Sequence, residues 1–149
     1  MKSTAWVLML AAALGTAGCK KQSAPEPAPA PKPLIEVTLK DASFAGKHTG
    51  DTTGKLSVPV SLLNNHSGGL MISAVSIAIL DANGAQVCGA KADGDKLAPA
   101  NTWESTIELD CAYEKFGGKK SLKVDGTVVF SVDGANKTKK IKGQVTLVN

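Results

Sequence analysis

The sequence predicts an all-β fold, a sandwich of about seven strands, and three observations lead there. Apolar and polar residues alternate almost throughout from Leu34 onward. Turn-forming Asn, Asp and Gly recur between the alternating runs. No stretch in that region carries the periodicity of a long amphipathic helix. Composition agrees, since 149 residues hold 15 Gly and 7 Pro but only 4% aromatics. That length suits one domain with attachments rather than two full cores.

The same composition excludes several functions. All 17 basic residues are Lys, so the bidentate guanidinium fork that reads phosphates, carboxylates and base edges is absent. Nucleic acid is not an expected partner. Only His48 and His66 are available for proton transfer near neutral pH, and the serines have no evident base beside them.

The N-terminus reads as an address. Lys2 precedes an apolar run, Ala5 to Leu14, that is shorter than the about 20 residues a bilayer span requires. Small residues, Gly15-Thr16-Ala17-Gly18, then lead to Cys19. This resembles the lipobox of bacterial lipoproteins, in which the signal peptide (here residues 1–18) is removed and the cysteine carries acyl chains such as palmitate. Thr16 stands where that pattern favours Leu. The resemblance makes Cys19 the lipidation site and the membrane a partner through that anchor. Several acyl chains, at about 0.8 kcal/mol per buried methylene, hold firmly where one would not. Lys20 and Lys21 occupy positions where an acidic residue retains Gram-negative lipoproteins at the inner membrane. The resemblance therefore implies the outer membrane, facing the periplasm. Residues 19–33 complete a linker whose alternating prolines, Pro25 to Pro33, favour polyproline II. At about 3.1 Å per residue the stretch from Ala24 to Pro33 spans roughly 30 Å.

Residues 34–149 form the expected domain. Ile35, Val37 and Leu39 alternate with polar residues as a first strand. Leu56, Val58, Val60 and Leu62 form the next, with Pro59 marking an edge strand or a bulge. After the Asn64–Gly69 turn, Met71, Ser73, Val75, Ile77 and Ile79 are expected on one face. Asn83-Gly84 signals a hairpin into a short strand around Gln86-Val87-Cys88. Trp103, Ser105, Ile107, Leu109 and Cys111 make the cleanest amphipathic strand. A connection follows, with one helical turn at Tyr113–Phe116. Leu122, Val124, Val128, Phe130 and Val132 share the next inward face, with Gly126 expected at a bulge or bend. Asp133-Gly134 turns the chain into a last strand with Ile141, Val145 and Leu147 inward.

Cys88 and Cys111 are the thiols left once Cys19 is lipidated. In an oxidising envelope they should pair as a structural disulfide, contributing about 3 kcal/mol by closing their loop. Two cysteines and two distant histidines supply too few ligands for a metal site, and no cofactor is expected.

Leu56 to Asn65, Ser67-Gly68, Ile77-Ala78-Ile79-Leu80-Asp81, Asn83-Gly84, Leu97-Ala98-Pro99 and Thr102-Trp103 together resemble the FxLYD-type immunoglobulin-like modules of bacterial surface proteins. In that pattern a strand ends in Asn-Asn, returns through F-x-L-Y-D and passes a Leu-x-Pro-Gly turn. Ile77 stands for the Phe, Leu80 for the Tyr and Ala100 for the Gly. The resemblance spans residues 55–110 and implies an immunoglobulin-like antiparallel β-sandwich. It brings no catalytic residue.

The remaining candidates are weak by pattern. His48-Thr49-Gly50-Asp51 and His66 fit polar turns better than chemistry. Asp81-Ala82-Asn83-Gly84 and Asp93-Gly94-Asp95 are similar to fragments of calcium loops but lack the bidentate Glu and regular ligand spacing. Lysines crowd the last third, and Lys123, Lys137 and Lys139 could share a face on the final hairpin. Such a face would attract an acidic protein or anionic glycolipid, although lysines on edge strands also guard against aggregation. The expectation is a non-enzymatic envelope lipoprotein with an interaction module and no catalytic residue, binding an envelope protein or glycolipid. The alternative is a lipoprotein that binds a small ligand or ion, with calcium at Asp93 and Asp95 or glycolipid at the lysines.

Overall fold

Every alternating run named above is a strand, and two short strands join them. The computed structural model describes residues 30–45, 53–112, 114 and 119–148. These hold β1 (Ile35–Leu39), β2 (Ala42–Ala45), β3 (Thr53–Asn64), β4 (Leu70–Leu80), β5 (Gln86–Asp93), β6 (Lys96–Leu97), β7 (Thr102–Ala112), β8 (Ser121–Val132) and β9 (Ala135–Val148). Cys19, the leader, the linker through residue 29, His48 and the turn expected at Tyr113–Phe116 (Glu114 apart) lie outside the described residues. Pro31–Asn149 form one compact unit.

In one sheet, β3 pairs with β7 along its length and with β1 and then β2 on its other edge. The second sheet runs β5–β4–β8–β9, with β6 beside the start of β4. Their apolar faces meet in a core that includes Leu56, Val58, Leu62, Val75, Ile79, Leu109 and Val128, all nearly or fully buried. This division of strands is that of an immunoglobulin-like sandwich. It is not wholly antiparallel, because β2 also pairs parallel with the end of β9, at Ala42↔Leu147 and Ser43↔Val148. The strand number is nine among the described residues rather than seven. At four and two residues, β2 and β6 are too short to register as alternation.

Three local expectations are corrected. Leu70 and Ile72 face the core, whereas Met71 is 40% exposed and Ser73 is exposed. The β4–β8 register shifts between Ile72 and Ala74, and this bulge at Ser73 moves the inward set from even to odd numbers. Pro59 lies in a central strand, not at an edge. Its carbonyl accepts from the Lys40 N–H at 3.1 Å, so its nitrogen faces the same junction, where the neighbouring chain passes from β1 to β2 and needs no donor. Gly126 causes no register shift in either ladder. A Cβ there would strike the Ser76 carbonyl, so the glycine permits a close approach of β8 to β4.

The turns follow their residues. Asp133 and Gly134 both have positive φ, 50° and 76°, the requirement of a two-residue type I′ hairpin between β8 and β9. The Asp81 carboxylate accepts from the Asn83 and Ala85 N–H groups, both at 2.8 Å, and so shapes the β4–β5 turn. At 98–101 the Asn101 N–H donates to the Ala98 carbonyl, with Pro99 second and Ala100 third at φ 57°. That is the arrangement of a type II turn, whose third position favours Gly.

Candidate functional site: the open edge and the polar pins

Asn64 is the sole buried polar side chain among the described residues, at 1% exposure. It ends β3, and its amide nitrogen donates to the carbonyls of Gly68 (3.0 Å), Leu97 (3.1 Å) and Ala98 (3.1 Å). Its side-chain oxygen accepts from the His66 N–H at 2.8 Å. The backbone of the same residue bonds to Ala100 and Asn101. One side chain thus fastens the β3–β4 loop to the segment between β6 and β7. The sequence marks Asn64 as turn chemistry and, by resemblance, as the end of a strand; its partners Leu97 and Ala98 lie too far along the chain for a local signal.

His66 belongs to the same end. Its Nδ1 accepts from the Gly68 N–H at 3.1 Å, which places the proton on Nε2. Nε2 lies 4.0 Å from the Asp133 carboxylate. The ring braces a turn. Asp93 and Asp95 are both exposed, and one oxygen of the Asp95 carboxylate accepts from the Lys96 N–H. Among the described residues no group of three or more His, Cys, Asp or Glu side chains could hold a metal ion.

Two ion pairs lie on the outer face of the β3–β7 sheet. Lys40 donates to Glu104 at 2.8 Å, and Lys55 to Glu108 at 3.0 Å. The hydrogen bond from Lys40, then its charge, holds the Glu104 carboxyl below its ordinary range. The hydrogen bond to Glu108, followed by the charges of Glu108 and Asp110, raises the Lys55 ammonium above its own. All four side chains are more than half exposed, so these pairs contribute little.

The two sides of the sandwich differ. On one, Cys88 in β5 and Cys111 in β7 form a disulfide with their Cα atoms 5.2 Å apart, joining the sheets. Antibody domains instead join the strands equivalent to β3 and β8. On the other side, β1 and β9 border a groove of about 680 Å³. Leu39 and Gly143 approach closely there; a Cβ on Gly143 would lie 3.3 Å from Leu39 Cδ1. Among the described residues no ladder joins β1 to β9, and Val37 and Leu39 are only half-buried.

The backbone of β9 is open along this groove. The Leu147 N–H donates to the Lys120 carbonyl at 2.9 Å. In the unbroken β8–β9 register, odd-numbered residues of β9 therefore bond to β8. The N–H and C=O groups of Asn136, Thr138, Lys140, Lys142 and Gln144 point the other way. Among the described residues no strand pairs with them before β2 arrives at Leu147.

The lysines divide differently from expectation. Lys123 opposes Gln144, so it shares the outer face with Lys140 and Lys142, while Lys137 and Lys139 project on the opposite, inter-sheet side. The two-residue turn pairs odd with even numbers across this hairpin, which defeats a face read from parity alone. All four β9 lysines are exposed.

No family model matches the chain, and no curated protein matches it in sequence. Solved structures do. An X-ray structure of a Northeast Structural Genomics Consortium target aligns with a TM-score of 0.58 at 12% identity, over 76% of this chain and 87% of that one. A Bordetella pertussis protein given the provisional name ApaA aligns with a TM-score of 0.55 at 14% identity, over 76% of this chain and 93% of its own. A β-glucuronidase of glycoside hydrolase family 2 aligns at 0.52 and 12% identity, but over only 13% of that enzyme. At these identities the likeness is one of fold, an all-β architecture, and it says nothing of activity.

Proposed function

We propose that the protein is a non-enzymatic lipoprotein of the bacterial envelope that presents an FxLYD-like, immunoglobulin-like interaction module to the periplasm. Acyl chains on Cys19 anchor it in the outer membrane, and the proline-rich linker connects anchor and domain. The Ala17-Gly18-Cys19 sequence behind an apolar leader supports the anchor. The Cys88–Cys111 bond fits an oxidising compartment. The observation that carries the interaction reading is the open β1/β9 side of a sandwich whose opposite side is covalently joined. Exposed sheet edges are contact surfaces for other chains.

The test is site-specific photo-crosslinking in the native envelope, with the crosslinker placed in turn at Asn83, Pro99 and Lys142. Capture of one envelope protein from a defined face supports the reading. Adducts confined to glycolipid at Lys142 would favour the second reading, lipid-surface binding, which rests on the exposed lysines of β9. Replacing Cys19 by Ser should release the chain from membranes; unchanged membrane association would remove the anchor.

A further inference from the structure

The free stretch of β9, residues 136–144, is about 30 Å long at the rise of an extended strand. It offers five donors and five acceptors in one line, from Asn136, Thr138, Lys140, Lys142 and Gln144. β2 shows that this edge takes a partner, since it pairs beside Leu147 and Val148 where the free stretch ends. An added strand would continue the line of β2 in the second sheet. Its side chains would alternate, one set toward the groove with half-buried Val37 and Leu39, the other level with Lys140 and Lys142.

Charge selects the occupant. Lys137, Lys139, Lys140 and Lys142 lie within six residues and are all exposed, and Glu36 is the acidic residue lining the groove. A second copy adding through its own β9 would set lysine rows against each other, and like charges directly opposed across strands destabilise the pair. An anionic lipid would meet the lysines but has no use for a periodic row of amide donors and carbonyl acceptors. An acidic polypeptide satisfies both.

We propose that the β9 edge binds an acidic, extended protein segment as an additional strand, held by backbone hydrogen bonds to residues 136–144 and by carboxylates against Lys140 and Lys142. This names the surface and partner class of the module proposed above and rests on that reading. Strand addition supplies affinity through the main chain and selectivity through alternate side chains.

The test uses the full-length chain in detergent and a capped octapeptide of alternating glutamate and valine. Binding should shift the NMR amide signals of Thr138, Lys140, Lys142 and Gln144 more than those of the loops. Methylating the amide nitrogens on the pairing side of the peptide keeps its charge and should weaken binding about tenfold or more, because each loses a main-chain hydrogen bond. The Lys140→Glu/Lys142→Glu pair, both exposed and tolerable to the fold, should weaken it about tenfold and favour a lysine–valine octapeptide instead. A Lys140→Pro variant that retains the remaining amide spectrum should also lose the peptide, since proline removes one edge donor. Equal binding by the methylated peptide would reduce the effect to charge attraction and overturn the proposal. So would shifts confined to another face, or no binding at all. Binding to phosphatidylglycerol vesicles alone would overturn it in favour of a lipid surface. If crosslinking at Asn83 or Pro99 captures an envelope protein while the β9 edge ignores the peptide, the interaction module stands and strand addition fails.

Discussion

Replacing Asn64 by Ala should be among the most destabilising single changes in the domain. Its two amide protons are shared among three carbonyls, and its oxygen holds the His66 N–H. Three hydrogen-bonding capacities are lost at once, each with a net value of about 1 kcal/mol. The Leu97 carbonyl would remain buried without its partner, whereas Gly68 and Ala98 lie in partly buried surroundings that water can reach. The expected cost is about 3 kcal/mol, or roughly 10–20 °C in Tm for a domain of this size. Asn64→Asp keeps the shape but removes both donors and turns an oxygen toward three carbonyl oxygens, so it should cost at least as much. Desolvation and those carbonyls would raise the carboxyl's pKa in the folded state. Stability from such a raised group is present below the unfolded value of about 4 and lost as pH rises through the folded one. The Asp variant's deficit relative to wild type should therefore shrink on acidification, and the Ala variant's should not. Urea unfolding followed by circular dichroism at neutral and acid pH measures both. An Asn64→Ala cost below about 0.5 kcal/mol, or an Asp variant as stable as wild type at neutral pH, would refute the reasoning.

Reducing the disulfide, or replacing Cys88 and Cys111 together by Ser, should cost about 3 kcal/mol in the chain-entropy model for a sequence separation of 23. Denaturant titration with and without reductant reads this directly, and coincident curves would contradict it. Ala100→Gly should stabilise the domain by about 0.5–1 kcal/mol, because Ala100 holds φ 57° where glycine carries no Cβ penalty. A destabilised variant would mean that the turn is not strained. In an NMR titration the Glu104 carboxyl should ionise below the ordinary glutamate range, and Lys40→Met should return it there. A lowered folded pKa contributes stability above the unfolded value that is lost as pH falls through the folded one. At this exposure the contribution is small, so an ordinary titration midpoint for Glu104 would remove the pair without disturbing the fold.

The strands were legible because burial on one face writes itself as alternation. Trp103 to Cys111 and Leu56 to Leu62 face as their period-two spacing indicates. Alternation failed at β4, where one inserted residue at Ser73 exchanges the faces while leaving every apolar residue in place. Pro59 misled because its missing donor is accommodated by the neighbouring chain's step from β1 to β2, a feature of pairing rather than of β3 itself. The open edge was hidden for a related reason. Lysines on β9 are visible in the sequence, but which amides face β8 depends on a register fixed by the Asp133-Gly134 turn. Asn64 was similarly opaque, since its value lies in carbonyls 33 and 34 residues away.

Amide hydrogen exchange across β9 in the full-length chain tests that open edge most directly. An alternating pattern is expected: residues 137, 139, 141, 143 and 145 protected by β8, and 136, 138, 140, 142 and 144 exchanging at rates near those of an unstructured chain. Uniform protection along the strand would mean that something already covers the edge, and would contradict it.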